Sequence, residues 1–129
     1  MARVKTSRRI DGVSLIPLLA QKGGLKRDAI YWHYPHYSNQ GGPPVGAIRK
    51  GDYKLIEFYE DGRLELFHLK SDIGEQRNLV QKEPKRAAEL HGMLKRWRES
   101  VKATMPAVNP NYDAAKADQG LRGVEPKTP

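Results

Sequence analysis

Two glycine-bearing turns set between short apolar runs constrain this chain more than any other feature. Gly51-Asp52 separates a run at 45–50 from one at 53–59, and Glu60-Asp61-Gly62 separates the latter from a run at 63–69. Turns this short join only antiparallel neighbours, and glycine supplies the positive φ that such hairpins need. Three consecutive strands are therefore expected as a meander. A fourth candidate strand, 29–34, is dense in aromatic residues and ends at Pro35; a loop from Pro35 to Pro44, with Gly41-Gly42, links it to 45–50. In the last strand Leu64/Leu66 gives way to Phe67/Leu69, a change of phase that predicts a bulge or bend near Leu66.

After a polar connection at 70–82, Pro84 stands where a helix takes its first-turn proline. Ala87, Leu90, Leu94, Trp97 and Val101 then recur at spacings of 3, 4, 3 and 4, one stripe of an amphipathic helix. Gly92 lies inside that helix and costs it about 1 kcal/mol relative to Ala, so the sheet is expected to hold the helix in place. Pro106 marks the stop. The fold class that follows is α+β: a four-stranded antiparallel meander with one long C-terminal helix packed on it. An irregular basic lead-in at 1–28, in which Val13 to Leu19 is a short apolar stretch with Pro17 inside it and Ser14 could cap a single helical turn, precedes a folded unit at 29–102. An extended tail follows at 103–129.

The 129 residues fit one domain, and 38% belong to the hydrophobic set. Cysteine is absent, which excludes disulfide frameworks, thiolate metal sites and cysteine nucleophiles. No run of about 18 apolar residues occurs, so no membrane span is expected, and the basic N-terminus lacks the apolar stretch of a classical signal peptide. The net charge of +8 is uneven: residues 1–27 sum to +6, whereas 28–80 sum to −2. A nucleic-acid module concentrates charge on a folded face among aromatics. Here the aromatics are in the middle and the charge is at the start, so no nucleic-acid partner is expected. A small basic module for polyanions, nucleic acid or sulfated glycan, remains the alternative reading.

No complete active site is legible, and no catalytic residue and no metal ligand is assigned. His33 and His36 flank Tyr34-Pro35 with no third ligand close by, and a zinc site normally needs three protein ligands. Ser7, Ser14, Ser38, Ser71 and Ser100 lack a nucleophile frame. Glu57, Glu60, Asp61 and Glu65 flank a hairpin turn and are expected to be solvated turn charges.

The string carries a further signal. Asp11-Gly12-Val13-Ser14-Leu15-Ile16-Pro17-Leu18-Leu19, Tyr31-Trp32-His33-Tyr34-Pro35-His36-Tyr37, Ala47-Ile48-Arg49-Lys50-Gly51-Asp52-Tyr53-Lys54-Leu55-Ile56, Glu65-Leu66-Phe67-His68-Leu69 and Asp72-Ile73-Gly74-Glu75 with Asn78-Leu79 follow one another in that order. Together they closely resemble the C-terminal end of type I sulfatases, of the bacterial arylsulfatase or N-acetylgalactosamine-6-sulfatase-like branch. The resemblance covers about residues 10–112.

The resemblance implies a non-catalytic C-terminal subdomain of a sulfuric ester hydrolase, inert alone, that supports the active-site cleft of a larger N-terminal catalytic domain. In the family that domain converts a Cys or Ser of a C/S-x-P-x-R motif to formylglycine and binds calcium through an Asp/Asn cluster. No cofactor is expected in this chain, which holds no such motif. The implied parent acts on a sulfated carbohydrate or aryl sulfate and is periplasmic or secreted. His33 and His36 become candidate substrate-binding groups at the cleft rim, because a protonated imidazole pairs with a sulfate oxygen. Separated from its catalytic domain, the chain is expected to expose Trp32, Tyr34 and Tyr37 and to self-associate, or else to carry a mobile aromatic loop.

Overall fold

A computed structural model describes residues 12–38 and 41–116. The basic groups of the lead-in before residue 12 and the tail beyond 116 lie outside the described residues.

Ser14 accepts a hydrogen bond from the Ile16 N–H at 3.3 Å, and a single helical turn, α1, spans Ile16–Leu19 with Pro17 in its first turn. The sheet follows as β1 (Ile30–Tyr34), β2 (Val45–Lys50), β3 (Tyr53–Phe58) and β4 (Leu64–His68), antiparallel and in the spatial order of the sequence. Gly51 takes φ +57° at the first turn position while Asp52 stays at negative φ, the pattern of a type II′ hairpin. The second connection is a four-residue loop, 59–62, closed by the Phe58 N–H donating to Arg63 O at 3.0 Å, with Gly62 at φ +71°.

Helix α2 spans Pro84–Ser100, and a short 3₁₀ turn at Ala114–Lys116 ends the described chain. The helix lies across the face formed by Tyr31, Ile48, Leu55 and Leu66, which the strand registers place in one row. Ile48, Leu55, Leu66, Leu90 and Leu94 are fully enclosed between the layers. Each such side chain contributes about 1.5–3 kcal/mol relative to exposure, which is what holds Gly92 in a helix.

Two expectations are corrected here. The β3–β4 register runs without interruption from Tyr53 opposite His68 to Glu57 opposite Leu64, so there is no bulge at Leu66. The phase change arises because β4 buries residues on both faces: Leu66 under α2, and Phe67 on the other face opposite Lys54. The helix stripe also ends differently. Val101 is the exposed C-cap, and the buried position one turn beyond Leu94 is Arg98.

Candidate functional site

The loop between β1 and β2 and the β3–β4 loop lie at the same end of the sheet, and the C-terminus of α2 arrives there too. The helix begins beside Tyr53, whose hydroxyl donates to Glu83 at 3.3 Å, and ends beside Glu57, which accepts from Arg98 Nη1 at 2.6 Å. His33, His36, Tyr37, Tyr59, Glu60 and Arg98 are thereby gathered from four elements. Their order in space follows from the meander and from the direction of one helix.

A polar chain runs beneath this end. Glu57, expected as a solvated turn charge, is largely enclosed: its carboxylate meets Arg98 on one oxygen and lies 3.0 Å from His91 Nε2 on the other. The His91 contact lacks hydrogen-bond geometry, so the buried Nε2 is unpaired and Arg98 carries the interaction. Burial pushes the Glu57 carboxyl up, but hydrogen bonding from Arg98, the His91 contact and their charges outweigh it and hold it below its ordinary value. Arg98 in turn loses by burial and gains more from Glu57 and Tyr59, so its guanidinium is held charged. Its carbon stands 5.3 Å from the Tyr59 ring centroid. Burial pushes the Tyr59 hydroxyl up against the pull of Arg98.

Tyr59 passes this chain on to His33. Gly46 stands opposite Glu57 and His33 in the registers, and a Cβ on it would overlap the Tyr59 hydroxyl. The missing side chain lets Tyr59 lie across β2 and donate to His33 Nδ1 at 2.7 Å. His33 Nε2–H donates to the Thr104 carbonyl at 2.8 Å, a bond that fixes the Nε2–H tautomer and makes Nδ1 the acceptor. The segment after α2 is thus clasped to β1.

His36 is placed differently. It is exposed, and its ring meets Tyr34 edge-on at 5.7 Å. Tyr34 belongs to the sheet face opposite the helix, the face of Ile30 and Trp32, whereas His33 belongs to the helix face. The two histidines are therefore not a pair. The loop carrying His36 is closed by the Ser38 N–H donating to Gly42 O at 2.8 Å, and the Tyr37 hydroxyl ties it to Glu60 Oε1 at 2.6 Å. That hydrogen bond raises the Tyr37 hydroxyl, with Tyr112 within electrostatic reach. Gly46, Glu57, Tyr59 and Arg98 carry no local sequence signature. The one available hint was a charge, Arg98, standing four residues after Leu94 in an apolar stripe.

Other polar groups are structural. His68 Nδ1 and Ser71 Oγ lie 2.8 Å apart across the exposed turn 68–71. Lys54 pairs with Glu75 at 2.8 Å, and Arg63 with Glu65 at 2.7 Å while stacking on Phe58. Among the described residues there is no cluster of three His, Asp or Glu side chains that could hold a metal, and no helix long and apolar enough to cross a membrane.

The helix-free sheet face is only partly covered. Trp32 is 48% and Tyr34 47% exposed, Ile30 is exposed beside them, and α1 exposes Leu15, Ile16, Leu18 and Leu19.

Comparison with known proteins places this architecture. A family profile described as N-sulphoglucosamine sulphohydrolase, C-terminal, matches residues 1–103. A sulfatase of Formosa agariphila is 30% identical over 102 residues, covering 70% of this chain and 18% of its own length. The N-acetylglucosamine-6-O-sulfatase of Bacteroides thetaiotaomicron is 32% identical over 112 residues, covering 81% of this chain and 20% of its own. The solved structure of BT4656 in complex with its substrate D-glucosamine-2-N,6-O-disulfate superimposes with a TM-score of 0.66 at 31% identity, over 80% of this chain and 22% of that one. The chain thus spans about a fifth of the length of the relatives it matches.

Proposed function

The chain belongs to the sulfatase family, as the C-terminal part whose profile is described as N-sulphoglucosamine sulphohydrolase, and we propose that it serves as the non-catalytic lobe supporting the cleft of a sulfatase acting on sulfated glucosamine units. The names of the relatives narrow the sugar: one is an N-acetylglucosamine-6-O-sulfatase and another was solved with a glucosamine disulfate. Catalysis belongs to the larger body. Neither formylglycine nor calcium fits the residues present here, since the chain has no cysteine, no Ser-x-Pro-x-Arg and, among the described residues, no metal-holding cluster.

The observation that carries the reading is the uncovered apolar row of Ile30, Trp32 and Tyr34, which runs along β1 into a loop braced by the Tyr37–Glu60 bond. Apolar surface of this kind marks an interaction site, and we assign its cover to the catalytic body. The loop at 35–44 then stands at the cleft rim. There His36 is the sulfate-facing group, because its ring makes no hydrogen bond among the described residues. His33 stands behind it at the rim, both ring nitrogens engaged within the lobe. The folded unit at 29–102 is the lobe proper, with 1–28 as lead-in and 103–129 as tail.

The test is enzymatic. The purified chain is expected to leave an aryl sulfate uncleaved with calcium present. In a sulfatase carrying this lobe, His36→Ala is expected to raise KM for a 6-O-sulfated glucosamine while leaving kcat nearly unchanged. Turnover by the chain alone, or a His36→Ala enzyme with unchanged KM, overturns the reading.

A further inference from the structure

The two edges of the sheet are finished in different ways. Hydrogen bonding in an antiparallel ladder alternates, so each residue of an edge strand directs its N–H and C=O either into the sheet or away from it. The two-residue hairpin makes Lys50 and Tyr53 a bonded pair, and alternation from there assigns the rest. On β4 the outward residues are Leu64, Leu66 and His68. The row is capped from Leu66 to the His68 carbonyl: the Leu66 N–H donates to Asn78 Oδ1 at 3.1 Å, Leu66 O accepts from the Leu79 N–H at 2.7 Å, and His68 O accepts from the Ser71 and Asp72 N–H groups. On β1 the inward residues are Ile30, Trp32 and Tyr34, and the outward ones are Tyr31 and His33. Among the described residues no backbone hydrogen bond reaches these two from outside the sheet.

We infer that the β1 edge pairs with the β1 edge of a second copy of this chain, antiparallel about a two-fold axis at Trp32. The register is imposed by the residues. Tyr31 and His33 are the outward-directed residues, and a dyad at Trp32 sets Tyr31 opposite His33 of the second copy, and the reverse. Each of those two pairs exchanges both of its N–H···O bonds, four backbone bonds in all. The same register sets Trp32 against Trp32 and Ile30 against Tyr34, so the exposed apolar row is continued across the junction. Aromatic cross-strand pairs of this kind stabilise antiparallel sheets. The strand has none of the devices that keep an edge single: residues 29–34 contain no Lys, Arg, Asp, Glu or Pro. This inference uses the edge of the sheet and stands whether or not the adjacent face receives a catalytic body.

The test uses the 129-residue chain. Sedimentation is expected to show a concentration-dependent dimer. Trp32→Lys and Trp32→Glu, at a half-exposed position outside the core, each place like charges opposite one another at the dyad and are expected to weaken the dimer about tenfold or more. Mixing the two variants is expected to restore it as a heterodimer. In the wild type, amide exchange at Tyr31 and His33 is expected to slow as concentration rises. A monomer at all soluble concentrations, a dimer indifferent to both variants, or a dimer whose Tyr31 and His33 amides exchange as fast as on dilution overturns the inference.

Discussion

Gly46 and Tyr59 share one volume: the space where a Gly46 side chain would stand is filled by the Tyr59 hydroxyl on its way to His33. The glycine is thus required by a side chain thirteen residues away rather than by its own backbone, and it joins the sheet to the clasp on Thr104.

Gly46→Ala is expected to destabilise the chain by about 1–3 kcal/mol, the usual range for overpacking a closed site. Tyr59→Phe removes the overlapping atom, so the double variant should lose less than the sum of the two single variants. Urea denaturation of the four proteins checks this, and full additivity would count against a shared volume.

Glu57→Gln leaves Arg98 buried without its counter-ion, which in buried pairs costs about 3–5 kcal/mol. Thermal or urea unfolding measures it. A loss below 1 kcal/mol would place the pair among solvated surface contacts.

Acid sensitivity follows from the same carboxylate. Glu57 is held below its ordinary value of 4.5 in the folded chain, so the unfolded chain takes up its proton first as pH falls. The stabilisation is complete above that value and is lost as pH drops from it through the depressed folded value. Asp72, lowered by the Gln76 and Arg77 backbone N–H groups and by the Arg77 charge, acts in the same sense from 3.8 downward. Stability measured between pH 6 and pH 3 is expected to fall, and the Glu57→Gln protein is expected to show a shallower slope.

His33→Phe removes both ring bonds, to the Thr104 carbonyl and from the Tyr59 hydroxyl, while keeping a ring of similar size. A single neutral hydrogen bond contributes about 1 kcal/mol, roughly a fivefold change in local opening. Tryptic cleavage after the exposed Lys102 is expected to accelerate by at least that factor, and the global unfolding midpoint is expected to fall as well, because the Tyr59 hydroxyl loses its acceptor.

Gly92→Ala is expected to stabilise the chain. The new Cβ would meet only the flexible end of Arg96, at 3.3 Å, and the helix gains about 1 kcal/mol of propensity, equivalent to about 4–8 °C in Tm for a unit of this size. A lower Tm would show that Arg96 is held more firmly than its exposure suggests.

The sequence announces local order well and distant order poorly, and particular residues show why. Gly51-Asp52 and Asp61-Gly62 are turn chemistry, readable from a few neighbours, and the meander follows from them. The 87–94 stripe is a period, also local. Leu66 and Phe67 suggested a bulge because alternation presumes one buried face, and β4 has two. Arg98 carries no local mark of its burial, because its acceptor stands 41 residues earlier on β3. His33 and His36 look alike in the string, yet His33 lies on the helix face while His36 meets Tyr34 of the opposite face. The sulfatase resemblance was carried by ordered short blocks and gave the family, while the bracing behind the loop at 35–44 depends on contacts with no spacing rule.

Asn78 and Leu79, by occupying the outer groups of Leu66, bear on the assembly proposed for this lobe. A sheet with two open margins adds copies without limit and grows into a fibre. With the middle of one margin occupied from within, the proposed pairing through the other terminates after a single addition. The asymmetry of the two rims thus turns a polymerisation hazard into a closed, countable object.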